Sequence, residues 1–130
     1  MSHTQTLNNQ IMNDISLNGP FELCEQEVDS RIPEDVIGNY LLGYRHCHDN
    51  LFNVLYVGYS EDLNAGLKKH LGDFSLYKFK REGSLYAAYM NVCKFYHVFT
   101  EESFIINDRH PEAPLGSNWK CPFCGMNGKG

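Results

Sequence analysis

Asn53 to Leu71, NVLYVGYSEDLNAGLKKHL, constrains the fold more tightly than any other stretch of the chain. Its β-branched and aromatic opening, Asn53–Gly58, reads as a buried strand. Gly58 allows the backbone to turn. Ser60 then offers an N-cap oxygen, and Glu61 and Asp62 place negative charge where a helix dipole favours it. Leu63, Leu67, His70 and Leu71 fall at i, i+4, i+7 and i+8, one face of a helix of about three turns. Strand, turn and amphipathic helix in direct succession demand a mixed α and β core.

The neighbouring segments extend this pattern. Gly38–Tyr44 reads as a strand with glycines where the backbone bends, and the polar connector Arg45–Asn50 joins it to Asn53–Gly58 as an antiparallel hairpin. Phe74–Arg81 alternates and predicts a third strand. Gly83-Ser84 restarts a helix that Ser84 caps, with Leu85, Ala88, Val92, Phe95, Tyr96 and Phe99 as its apolar stripe. The expected architecture is α+β: a short antiparallel three-stranded sheet flanked by helices, in one domain over residues 20–130. Residues 1–19, rich in Asn, Gln, Thr and Ser, predict a flexible arm with at most one docking turn around Ile11–Leu17. Phe21–Asp35 carries six acidic residues against Arg31, which predicts a solvated loop or sheet edge.

Composition narrows the class. An apolar content of 42% and an aromatic content of 13% suit a single packed globule, and the net charge of −5 argues against a surface that wholly embraces a phosphate backbone. The N-terminus lacks the apolar core of a signal peptide, and no apolar run is long enough to span a membrane. With five scattered cysteines, a reducing cytoplasmic setting is expected, in which thiols serve metal or packing. Cys24 reads as a packed thiol, and His46, Cys47 and His48 as ordinary loop residues.

Beyond Thr100 periodicity disappears, and a long irregular tail (100–130) needs something to pin it. Cys121-Pro-Phe-Cys124-Gly125 is half of a zinc site: two thiolates on a knuckle stiffened by Pro122, with Gly125 free to adopt positive φ. Cys93 and His97, one turn apart on the last helix, supply a matching pair. The expectation is a structural Zn²⁺ held by Cys93, His97, Cys121 and Cys124, with His110 as the substitute for His97.

Gly38-Asn39-Tyr40, Tyr56-Val57-Gly58 and the following Ser60-x-Asp62-Leu63-x-x-x-Leu67-x-x-His70 together resemble the GIY-YIG nuclease superfamily, over roughly residues 32–99. The resemblance implies a small α/β domain that cuts phosphodiester bonds in nucleic acid. In that family two motif tyrosines help activate water, a helix arginine steadies the phosphate, and a glutamate holds one divalent ion, Mg²⁺ or Mn²⁺. Tyr40 and Tyr56 match the tyrosines, and His70 falls where the family often has His or Tyr. The arginine position holds Gly66, the glutamate position Val92 (Asn91 with a one-residue slip), and the basic position after the second motif Tyr59.

Losing one transition-state donor commonly costs about two to three decades in rate. With both clamp and metal carboxylate missing, the expectation is a catalytically inactive domain that binds DNA or another protein. The alternative is a metal-dependent DNA endonuclease whose missing groups come from Glu101, Glu102 or Lys68. Lys68, Lys69, Lys78, Lys80 and Arg81 would form a phosphate-docking patch if they share a face with the two tyrosines.

Overall fold

The computed structural model describes residues 17–45, 51–102, 105–107 and 110–126. Its elements are β1 (Asn18–Glu22), α1 (Glu25–Arg31), β2 (Gly38–Arg45), β3 (Phe52–Ser60), α2 (Leu63–Lys68), β4 (Leu76–Arg81) and α3 (Leu85–Glu102). The four strands form one antiparallel sheet in the order β1-β4-β2-β3. The expected hairpin is present as β2–β3, the expected third strand as β4, and a fourth strand is added.

That fourth strand corrects two expectations. Asn18 and Gly19, read as the end of the flexible arm, belong to β1, which pairs with β4 from Asn18 to Glu22. Its Asn-Gly-Pro-Phe-Glu sequence has no strand pattern because an edge strand with an irregular register needs little of one. The acidic stretch is not a loop either. Val28 and Ile32 are completely buried four residues apart, and the charges around them occupy the outer face of α1. Glu25 and Glu27 lie in the first turn, Arg31 in the last, and Arg31 Nε donates to Glu27 at 2.7 Å. Cys24 precedes this helix half-buried. The rest of the arm and the His46-Cys47-His48 connector lie outside the described residues.

Each face of the sheet carries its own core. Residues directly opposed across antiparallel strands share a face. Tyr40 opposes Phe79 while Leu42 opposes both Tyr77 and Tyr56, and this side packs against Val28, Ile32, Leu63 and Leu67 of α1 and α2. Leu41 opposes Val57 on the other side, against Tyr89, Val92 and Phe95 of α3. Burying both faces explains why β2 reads as an almost unbroken apolar run. A bulge in the β2–β3 register, between Leu42 and Gly43, turns consecutive Leu55 and Tyr56 toward the α1/α2 side together. Gly43 sits at that bulge with the Asn53 carbonyl where a Cβ would go, so only glycine fits.

Helix α2 is shorter than its apolar spacing predicts, six residues, and its N-cap is Asp62 rather than Ser60. Asp62 accepts from the Ala65 amide at 3.3 Å, while Ser60 Oγ accepts from the Asp62 amide at 3.0 Å and so braces the cap. At α3 the expected cap holds, Ser84 Oγ accepting from the Ala87 amide at 3.1 Å. None of the described helices is long and apolar enough to cross a membrane.

Candidate metal centre and the motif tyrosines

The irregular tail is docked by side chains. Beside the free edge of β3, the Asn107 side chain brackets one residue, accepting from the Val57 amide at 3.0 Å and donating to the Val57 carbonyl at 2.9 Å. The Ile106 amide donates to the Leu55 carbonyl at 2.6 Å. Further on, the Tyr59 hydroxyl donates to the Glu112 carbonyl. Backbone groups that an edge strand would leave exposed are thereby used.

The tail then meets α3. His97, His110, Cys121 and Cys124 each present one ligand atom, and all four atoms lie within 4.8 Å of one another, close enough to hold a metal ion. His97 Nε2 stands 3.3 Å from Cys121 Sγ. Tetrahedral zinc with ordinary Zn–N and Zn–S bonds would separate such atoms by about 3.6 Å, so little adjustment is needed. The knuckle is built by the backbone: Gly125, at φ +75°, donates its amide to the Cys121 carbonyl at 2.9 Å, and the Phe123 amide donates to Cys121 Sγ at 3.3 Å.

His110 tests the fit. Its Nδ1 lies 2.9 Å from the Pro111 carbonyl, the geometry of an N–H donating there, and its Nε2 is buried with no hydrogen-bond partner. A buried ring nitrogen left with a lone pair and no donor is costly. It is also what a metal-ligating imidazole presents once its other nitrogen is anchored to a carbonyl. Burial, and next the neighbouring His110, lower the pKa of His97, which favours the neutral, ligating imidazole. The residues fit a metal.

Membership of the four-residue cluster differs from the expected set. His110 stands with His97, not in its place, and Cys93 lies outside. Cys93 is completely buried in the α3 core with Tyr89 and Val92. Burial, and next the neighbouring Cys121, push its thiol up to about 12. One turn along the same helix, His97 is less deeply buried and reaches the tail. Cys93 therefore lies behind Cys121, on the core side of the cluster. Burial of His110 was not readable from its sequence surroundings; the adjacent Pro111, whose carbonyl anchors the ring, is the one local signal.

The motif residues gather on the opposite face of the sheet. The Tyr40 and Tyr56 rings stack at 6.3 Å and 16°, and Tyr40 Oη lies 3.3 Å from His70 Nε2. Burial raises the pKa of both tyrosines and lowers that of His70. Gly58 underlies the Tyr40 ring, where a Cβ would collide with it. A Cβ at Gly66 would lie 2.9 Å from Ser60 Cβ and 3.6 Å from the Tyr40 ring, and Val92 is completely buried beneath α3 on the other side of the sheet. Asn91 is engaged with Glu82 at 2.6 Å. A cavity of about 590 Å³ lies beside the tyrosines, walled by Gly58 and by Ile106, His110 and Glu112 of the tail.

The five basic residues do not form one patch. Lys78 opposes Leu41 and Lys80 opposes Asn39, which places them on the α3 side, whereas Arg81 donates to the Arg31 carbonyl and Lys68 belongs to α2 on the other. Lys68 pairs with Asp29 at 2.6 Å and Lys80 with Glu82 at 2.7 Å. Lys69 is exposed.

Fold and site together define an α+β domain with a two-histidine, two-cysteine donor cluster. Compared with known proteins, the chain matches no family model, no curated protein and no solved structure.

Proposed function

We propose that the chain is a GIY-YIG-like domain, stapled by a structural zinc ion, that does not cut nucleic acid and serves as a protein-binding module. The observation that carries the non-cutting half is the closure of the two positions where the family keeps its charged groups. Gly66 is packed against Ser60 and Tyr40, and Val92 is fully buried against the sheet. Neither a phosphate clamp nor a metal carboxylate can stand there without rebuilding the core. Zinc is favoured because two thiolates and two imidazoles in a compact, four-donor set suit its tetrahedral preference, and a set with no ligand position left over is structural. A protein partner is favoured over nucleic acid by the division of the basic residues between two faces and by the pairing of Lys68 and Lys80 with carboxylates.

Two measurements test this. Metal analysis of the purified protein should find close to one zinc per chain, and its absence overturns the staple. Incubation with Mg²⁺ or Mn²⁺ and single-stranded, duplex and branched DNA should give no cleavage. Cleavage abolished by Tyr56→Phe would establish instead a nuclease with a non-standard site.

A further inference from the structure

We propose that the aromatic hollow beside α2 binds a quaternary or fully methylated ammonium head group, an inference that rests on reading this face as one that binds rather than cuts. The hollow, about 420 Å³, is lined by Tyr44, Leu55, Tyr56, His70, Asp73 and Phe74, with Ile106 of the tail at its border.

Phe74 is the buried floor. Three rings lean over it: Tyr44 at 6.1 Å and 47°, Tyr56 at 6.2 Å and 39°, and His70 at 6.1 Å and 58°. Tyr56 and His70 also pack on each other at 4.9 Å, and all four rings line the hollow. Ring faces carry negative quadrupole charge, and several converging on one spot favour a cation too large to be strongly hydrated. Pairing with Leu42 turns Tyr56 to this side, the bulge adds Leu55 beside it, and the Tyr44 hydroxyl, donating to the Asp73 carbonyl at 2.6 Å, ties one wall to the turn after α2.

The polar groups agree in sign. Among the described residues, neither the Asp73 carboxylate nor the Tyr56 hydroxyl makes a side-chain hydrogen bond, so both remain for a ligand. The Asp73 carboxylate acts on His70 in the sense that favours a cation, opposed by burial and by Lys69. Burial holds that imidazole toward its neutral form, an aromatic wall and not a competing cation. An anion would meet a carboxylate and four aromatic rings. An unmethylated ammonium loses more hydration on entry than a methylated one.

Calorimetric titration with choline and with its neutral isostere 3,3-dimethylbutanol tests the site on the full chain. Saturable choline binding, about tenfold tighter than the isostere, is expected. Asp73→Asn and Tyr44→Ala, both at exposed positions, should each weaken it several-fold with unchanged circular dichroism. A trimethyllysine peptide held more tightly than choline assigns the head group to a protein side chain, and the reverse to a free small molecule; either upholds the site. Equal affinity for choline and isostere, or no choline binding in the tens of millimolar, overturns it. Zinc content and the cleavage assay are read separately, so its failure leaves the stapled, non-cutting module standing.

Discussion

The β2–β3 hairpin and the tail at 105–126 are the same protein held together in two different ways. The hairpin is a ladder from Gly38↔Ser60 to Arg45↔Phe52, interrupted once by the bulge at Leu42/Gly43, and its tight places are occupied by glycines because backbone or a ring fills the space. In the tail regular structure is absent among the described residues, and it is held by side chains: Asn107, the Tyr59–Glu112 bond, Ala113 and Cys121 in the α3 core, and Trp119 against Tyr86 and Tyr89, with the four donors gathered at its end. A ladder spreads its stability over many similar bonds. A metal staple would concentrate it, so with the proposed zinc in place the end of the tail should depend on the ion far more than the hairpin does.

The largest expected effect follows directly. In small zinc peptides metal binding is worth about 10–16 kcal/mol, far more than any single packing contact. Chelation, or Cys121→Ser, should abolish hydrogen-exchange protection in the tail while the hairpin keeps its own. Simultaneous loss in both regions would mean that they form one cooperative unit. The hairpin's counterpart is Gly43→Ala, whose Cβ would collide with the Asn53 carbonyl. A loss of about 3 kcal/mol in urea unfolding is expected, with zinc content per folded chain unchanged.

Within the tail, ligand and support should separate. His110→Ala should weaken metal affinity by more than about a hundredfold in competition titrations, whereas Cys93→Ala, acting only through Cys121, should cost about tenfold. Equal losses would make Cys93 a ligand after all. The smallest effect concerns His70. Its folded pKa lies below the usual 6.5, so the unfolded chain binds more protons as pH drops through that value. Its contribution is fully present above pH 6.5 and is lost progressively as the pH falls toward the folded value. Stability should therefore fall as the pH drops below 6.5, and His70→Phe, which keeps the ring contacts, should flatten that slope.

Local pattern was legible wherever it recurred along the chain. The hairpin, β4, Ser84 as a cap and the Cys121-x-x-Cys124 knuckle all announce themselves within a few residues. Helix α1 did not, because its acidic outer face outnumbers the two apolar residues, Val28 and Ile32, that hold it down. Strand β1 did not, because Asn18-Gly19-Pro20 reads as turn until β4 is there to pair with it.

Most of the metal site lay between these cases. Spacing alone predicts that Cys93 and His97 point to one side of α3, and so pairs them. Which of them reaches the tail depends on how the helix is rolled against the sheet. Cys93 is buried toward it, and His97 meets Cys121 across 24 residues of chain. In the same way, the sequence by itself determined that Tyr40, Tyr56 and His70 belong to one strand–turn–helix unit and that Gly66 brings no charge to it. Only the tertiary structure decided that the lysines divide between two faces, that His110 lies with His97, Cys121 and Cys124, and that a bulge brings Leu55 beside Tyr56 at an aromatic hollow. The reason is physical. Periodicity reports on which side of its own element a residue lies, whereas convergence of distant groups is set by packing between elements, and no short-range pattern encodes it.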